Sequence, residues 1–345
     1  MHSLDPSGAA AHHGIFGLPH TPEEAAVVLI PVPWEATVSY GSGTADGPAA
    51  ILSASRQVDL LDRETGRPYE AGIAMLPIPD DVRAWSDEAR ALARPVIEAG
   101  GPGEDPLLRQ AIGGVTELGA RLNGWVRDQA ACWLEAGKLV GVVGGDHSVP
   151  FGAIAAVAAR HPGVGVLHID AHADLRQAYE GFRWSHASIM YNVLHELPGV
   201  SRIVQVGVRD FCDEEDRLIR AHPDRLRTFF DPDLRQQLLD GESWNRLAGR
   251  IVAELPREVY VSFDIDGLDP ALCPHTGTPV LGGLSFPEAT ALLRLLAQSG
   301  RRVVGFDLSE VAPGPDGSEW DGNVGARVLY KQIGFALRSR ATSSA

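Results

Sequence analysis

Short apolar runs rich in Val, Ile and Leu recur along the chain. Between them lie longer stretches in which apolar residues return every three or four positions. The runs Val27–Pro31, Gly72–Leu76, Leu139–Val143, Gly165–Ile169, Ile203–Val206, Val259–Phe263 and Val303–Phe306 predict strands. Near-continuous runs of this kind suit a parallel sheet whose two faces are both covered. Helices are predicted over Pro48–Val58, Leu107–Ala136, Phe151–Arg160, His186–His195, Pro287–Ser299 and Asn323–Leu337. Pro48 is placed as a first helical residue, and Gly113-Gly114 predicts a break in the long second helix. The alternation implies a doubly wound, mainly parallel α/β sheet with helices on both faces, a three-layer α/β/α architecture. One domain is expected over 21–338, after a polar, mobile arm at 1–20 and before a frayed tail at 339–345. Residues 100–105 (GGPGED) read as a loop, and no internal repeat is visible.

Composition narrows the function. The chain has 345 residues, 44% of them apolar, enough for a sizeable core. Thirty Lys plus Arg against 45 Asp plus Glu leave a formal charge of −15. Such a surface repels phosphate backbones and argues against nucleic-acid binding; its field suits a cationic small molecule. No window holds the run of about 18 apolar residues that a bilayer span requires. The N-terminus lacks the basic and apolar segments of a secretory signal. Cys132, Cys212 and Cys273 are few, odd in number and not in CxxC pairs. They suggest a reducing, cytoplasmic compartment and neither a disulfide framework nor a zinc knuckle.

The chemistry gathers after the predicted strands. Gly144-Gly145-Asp146-His147-Ser148, Asp170-Ala171-His172-Ala173-Asp174, Asp264-Ile265-Asp266-Gly267-Leu268-Asp269-Pro270 and Asp307-Leu308-Ser309-Glu310 each follow or close one. In open parallel sheets the ligand site lies beyond the carboxyl ends of the strands, so one fold rule brings all four to a single edge. Alternate residues of an extended segment share a face. Asp170, His172 and Asp174 therefore align, as do Asp264 and Asp266. With His147 they make four carboxylates and two imidazoles, a charge cluster that calls for cations. Carboxylate and imidazole ligands without thiolate suit Mn²⁺ better than a structural zinc. Two metals about 3.5–4 Å apart need bridging carboxylates, and Asp170 and Asp264, each opening its motif, are the natural bridges. His168 reads as a core or supporting histidine, Asp146 as a residue bonding its own loop, and Asp269 as a turn residue.

GGDHS, DAHAD and SFDIDGLDP resemble, in order and spacing, three signature motifs of the arginase/agmatinase (ureohydrolase) family. The resemblance runs from about Val27 to Leu337 and includes Thr276-Gly277-Thr278-Pro279 and GFDLSEVAP. It implies one Mn²⁺ held by His147, Asp170, Asp174 and Asp264, and another by Asp170, His172, Asp264 and Asp266, with Ni²⁺ or Co²⁺ as possible substitutes. It also implies hydrolysis of a guanidinium to release urea by a hydroxide bridging the two metals. In that scheme Asp174 carries its proton to the leaving nitrogen, His186 assists proton transfer and Glu310 pairs with the guanidinium. The competing reading of His186 is a plain helix start, and that of Glu310 a surface or capping acid.

The segment DAHADLRQAYEGFRWSHAS is closer to agmatinases than to true arginases, which makes agmatine, yielding putrescine and urea within polyamine metabolism, the first expectation. Arg176, where arginases carry Asn, could instead meet the carboxylate of 4-guanidinobutyrate or 3-guanidinopropionate, or be a structural arginine buried under its loop. Arginine and guanidine are further alternatives. Asp213, in the acidic run 210–216, could face the far amine of agmatine; acids at a solvated helix start are the plainer alternative. The loop Trp34–Gly47 could close over the site. A single-zinc amidohydrolase needs fewer carboxylates, and a non-catalytic homologue would show broken ligand positions. A homo-oligomer, trimer or hexamer, follows from the resemblance alone. No functional reading attaches to Leu107–Ala136.

Overall fold

The computed structural model describes residues 5–8, 12–315 and 317–342. Eight strands form one sheet: β1 (Val27–Pro31), β2 (Ile73–Met75), β3 (Leu139–Val143), β4 (Val164–Ile169), β5 (Val200–Val208), β6 (Leu226–Phe230), β7 (Glu258–Asp264) and β8 (Arg302–Ser309). Their order is β2-β1-β3-β8-β7-β4-β5-β6 and every pairing is parallel. Side chains alternate between two cores. Leu139, Val143, Leu167 and Ile169 join the core on one face, and Val140, Val142, Val164 and Val166 join the core on the other. Burial of both faces is why the strands read as unbroken apolar runs.

Ten α-helices and six short 3-10 turns complete the described chain. α2 (Asp80–Glu98), α3 (Pro106–Glu135), α4 (Phe151–Arg160) and α5 (Ile189–Glu196) contribute to one core. α1 (Gly47–Ala54), α7 (Asp231–Leu239), α8 (Trp244–Ala253), α9 (Phe286–Gln298) and α10 (Trp320–Thr342) contribute to the other. α6 (Asp213–Ala221) follows β5. The expected three-layer α/β/α fold is present.

Several local expectations change. α3 is continuous through Gly113-Gly114. A Cβ on Gly114 would lie 2.8 Å from Leu92 of α2, and one on Gly119 would lie 2.9 Å from Trp184, so these glycines serve close packing rather than a break. β6, an edge strand, escapes an apolar-run reading because Arg227 and Thr228 interrupt it. α2 buries Val82, Ser86, Ala89, Ala93 and Val96, a stripe of mostly small residues that carries little hydrophobic signal. α7 and α8 are also additions to the expected set.

The arm expected at 1–20 ends inside the core, with Ile15, Phe16 and Leu18 buried; residues 1–4 and 9–11 lie outside the description. In the tail expected to fray, α10 continues and buried Ser339 accepts the Val303 N–H at 3.0 Å. Residues 343–345 are not described.

Candidate metal centre and substrate cavity

β3, β8, β7 and β4 are consecutive in the sheet, and these four strands carry the four motifs. That adjacency is what makes the motifs converge. The turn after β3 needs Gly144 (φ 90°) and Gly145 (φ 73°). A Cβ there would lie 2.3 Å from Pro48 or 2.7 Å from the Val32 carbonyl. Asp174 (φ 54°) and Glu310 (φ 63°) also adopt the left-handed region, which costs a non-glycine residue energy and is held only where surroundings enforce it.

Six side chains meet. His147 Nδ1 lies 2.9 Å from Asp170 Oδ2, 3.2 Å from Asp174 Oδ2 and 3.2 Å from Asp264 Oδ2. His172 Nδ1 lies 3.0 Å from Asp266 Oδ2 and 3.5 Å from Asp170 Oδ1. Asp170 thus faces two nests at once. Ligand-type atoms of His147, His168, Asp170 and Asp174 cluster within 4.8 Å of one another, as do those of Asp170, His172 and Asp266. Asp264 turns Oδ2 to the first nest, while its Oδ1 accepts the Asp266 N–H at 2.8 Å.

The electrostatics fit divalent cations. Burial, then the Asp170 charge, pushes the Asp174 carboxyl up to about 7. Burial with Asp266 and Asp170 drives Asp264 well above the carboxylate range. Burial opposes charge on His147 and His172, yet the surrounding carboxylates hold both imidazoles well above their ordinary value. Without cations the cluster draws in protons; a metal would displace them. The donors are all carboxylate oxygen and imidazole nitrogen, a set matching a hard-to-intermediate ion.

Above the cluster opens a cavity of about 140 Å³ whose lining includes His172, Asp174, His186 and Thr278. A larger cleft of about 560 Å³ lies among β6, α7 and α8, lined by Arg227, Phe229, Leu234 and Leu247, and holds none of the motif residues. His186 is buried at the end of the turn into α5. Its Nδ1 lies 3.1 Å from Thr37 Oγ1. Burial, then His172 and His147, pushes its imidazole down to about 3, so it stays neutral.

Glu310 does not line the cavity. Its Oε1 accepts the His147 N–H at 2.8 Å, and its buried Oε2 has no hydrogen-bond partner. Burial, then Asp146, holds the carboxyl well above the usual range. An unpaired buried carboxylate oxygen is costly and is suited to a guanidinium.

The outer wall differs from the expectation. Asp213, exposed at the start of α6, does not line the cavity. From the same acidic run Asp210 and Glu215 do. Glu215 is committed to backbone, accepting from Leu175 N and Cys212 N at 2.9 Å each. Helix geometry decides this: the first residue of α6 points away while the third reaches back.

Asp210 is exposed, and its side chain has no partner among the described residues. Arg176 lines the cavity with 39% of its side chain exposed, 3.7 Å from Glu215 and over the Tyr179 ring. It is not buried under its loop. Asp146 reaches beyond its own loop: Oδ1 accepts from Ser148, and Oδ2 from Ala36 N at 3.1 Å. That contact ties down the 34–47 loop, which supplies Thr37 and Ser39. Sequence reasoning missed Thr37, Ser39, Tyr179 and Thr278 as individual site residues; polar residues in flexible-looking loops carry no spacing signal. Asp269 makes the expected turn, accepting the Ala271 N–H at 2.9 Å.

A model of the Arginase family matches residues 25–334. The chain is 34% identical over 325 residues to N(1)-aminopropylagmatine ureohydrolase of Thermus thermophilus, covering 93% of this chain and 94% of that protein. It is 28% identical over 317 residues to agmatinase of Bacillus subtilis, covering 90% and 92%. The solved structure of agmatine ureohydrolase of Thermoplasma volcanium superposes with TM-score 0.72 at 22% identity, over 96% of this chain and 97% of that one; it speaks for the fold.

Proposed function

Because the chain belongs to the arginase family, we propose that it hydrolyses a guanidinium compound ending in an amine, agmatine or an amine-extended agmatine, to urea and the free amine. Members of the family are hydrolases acting on small guanidino substrates and depend on a binuclear metal centre. The finer assignment is ours: two Mn²⁺ ions, one with His147, Asp170, Asp174 and Asp264, the other with Asp170, His172, Asp264 and Asp266. When bound, such ions supply Lewis acidity and acidify water.

The chain's own residues do the rest. A guanidinium is protonated throughout the neutral range and its carbon is a poor electrophile, so orientation matters. Glu310, buried and not on the cavity lining, keeps Oε1 on the His147 N–H and offers the unpaired Oε2 to a guanidinium N–H that extends to it. Asp174, at the cavity floor, takes the proton of the attacking water and returns it to the departing nitrogen as the C–N bond breaks. His186, held through Nδ1 by Thr37 and kept neutral by burial, presents its other nitrogen as a hydrogen-bond partner for the reacting groups and would take a proton only as charge develops beside it.

The observation carrying the amine-ended substrate is Asp210, an unpartnered carboxylate on the cavity wall, in a chain whose net charge favours cations. The 34% identical relative named for aminopropylagmatine supports a tail longer than that of agmatine. Arg176 favours a second reading, a guanidino acid, because its guanidinium lines the same cavity with its nearest carboxylate 3.7 Å away.

Urea release by Mn²⁺-loaded protein decides between them. The panel is agmatine, N(1)-aminopropylagmatine, arginine, 4-guanidinobutyrate, 3-guanidinopropionate and guanidine. Preference for the amines supports the proposal. Preference for an acid replaces it with the second reading, and no urea from any of them overturns both.

A further inference from the structure

Five polar residues stand in one row across the sheet, beneath the ligand cluster. The register pairs Thr228 of β6 with Gln205 of β5, Gln205 with His168 of β4, His168 with Ser262 of β7, and Ser262 with Asp307 of β8. Residues in register on neighbouring parallel strands point to the same face. His168, Gln205, Ser262 and Asp307 each break an apolar run, and Thr228 follows Arg227 in the edge strand. His168, Gln205, Ser262 and Asp307 are fully buried, where most polar groups have their hydrogen bonds made; of these four side chains only Asp307, at Oδ2, has an atom without a partner.

Those bonds fix the state of His168. Gln205 lies 2.6 Å from the Ala173 carbonyl through its Nε2, and its Oε1 accepts from Thr228 Oγ1 at 2.8 Å. A carbonyl cannot donate, so the amide nitrogen must face Ala173; the flipped amide would set two oxygens against each other. The same Nε2 lies 3.0 Å from His168 Nδ1. A donor at that point makes Nδ1 an acceptor, so the ring proton sits on Nε2. His168 Nε2 lies 2.8 Å from Asp170 Oδ2 and donates to it.

We propose that His168 is a positioning residue and not a metal ligand: its ring, locked as the Nε2–H form by Gln205 and Thr228, donates to Asp170 Oδ2 and aims that carboxylate at both nests. His168 clusters with His147, Asp170 and Asp174 as a possible ligand. Ligation would require a free lone pair on Nε2 and hence a proton on Nδ1, donor against donor at Gln205. The row serves His147 in the same manner, since Ser262 Oγ lies 2.9 Å from its Nε2 and leaves Nδ1 facing the carboxylates. Partners that orient metal ligands typically govern affinity by 10–100-fold.

The role assigned to His168 rests on the metal reading, but its tautomer does not, and the test separates the two. Long-range ¹H–¹⁵N spectra of the metal-free protein, with His168 assigned by its loss in His168→Gln, should show a neutral Nε2–H ring. They should show that pattern lost in Gln205→Leu. A proton on Nδ1 in the parent protein overturns the proposal.

Mn²⁺ titration then reads the consequence. His168→Gln places an amide N–H where Nε2 stood and should keep Mn²⁺ affinity within about 3-fold, whereas His168→Phe should lose about 10–100-fold. Equal affinity in the two variants overturns the positioning role. A parent protein that binds no Mn²⁺ overturns the metal reading, while the spectra still decide the tautomer.

Discussion

The floor and the wall of the cavity are built in opposite ways. On the floor, Asp170, Asp264 and Asp266 are buried and each makes short contacts to neighbouring side chains or backbone. These residues sit on or just beyond central strands, supported from below by the polar row. On the wall, Asp210 and Arg176 are exposed or half-exposed, Arg176 held by its stack on Tyr179 and a 3.7 Å approach to Glu215, Asp210 by no side-chain partner among the described residues. The floor is rigid because any displacement would leave buried charges unpaired, which costs several kcal/mol. The wall can change residue by residue at little cost in stability. In the proposed function, bond-breaking chemistry is therefore tied to the sheet, and choice of substrate to loops laid over it.

Perturbations of the floor should have the largest effects. Asp264→Asn is expected to lower urea release by about 10³-fold or more, comparable to removing a preorganised electrostatic group, with circular dichroism unchanged and Mn²⁺ content reduced. Near-normal activity in that variant would break the two-metal assignment. Between floor and wall, His186→Ala should slow turnover by about 10²-fold, the low end for general acid–base catalysis, and leave metal content intact. Loss of bound metal there would recast His186 as a ligand or a structural residue.

Glu310→Gln keeps the shape of the side chain but removes the charge. A charged hydrogen bond is worth about 1.5–3 kcal/mol, so kcat/KM should fall by about 10–100-fold for every guanidino substrate alike. A loss confined to one substrate would move Glu310 from guanidinium binding to tail recognition.

The smallest effects belong to the wall. Asp210→Asn should raise KM for the amine-ended substrates by about 3–10-fold, since a partly exposed ion pair is worth about 1 kcal/mol. It should leave 4-guanidinobutyrate unchanged. Arg176→Met should do the reverse only if guanidino acids are the true substrates. Parallel changes for both substrate types in either variant would erase the distinction between floor and wall.

Legibility in the sequence follows the same division. His147, Asp170, His172, Asp174, Asp264 and Asp266 were readable because they sit at fixed spacings at or directly after the ends of apolar runs, although the shared face expected of an extended segment is made by turns beyond the strands, with Asp174 left-handed and Asp266 in a 3-10 turn. Glu310 was singled out from its motif, but its bond to the His147 N–H and its place off the cavity lining were not legible there. Asp213 was a reasonable choice within an acidic run, but which acid of a helix start looks into a cavity depends on the rotation of that helix against β5. Thr37 and Ser39 come from a loop whose path is set by Asp146 and Arg90, far apart in sequence. Gly114 misled because a glycine that weakens a helix and one that admits a neighbouring helix look alike in one dimension; Gly113 beside it meets nothing.

The chain by itself determined the strand positions, the two-sided burial of the sheet and the residues of the His/Asp cluster, because periodicity and spacing are local properties. The tertiary structure alone decided the strand order that puts β3, β8, β7 and β4 side by side, and the register that aligns Thr228, Gln205, His168, Ser262 and Asp307. Pairing between strands is a contact between distant segments, and no residue carries a record of its neighbour across the sheet. For that reason the proton on His168, and with it the difference between a ligand and a support, became readable only in three dimensions.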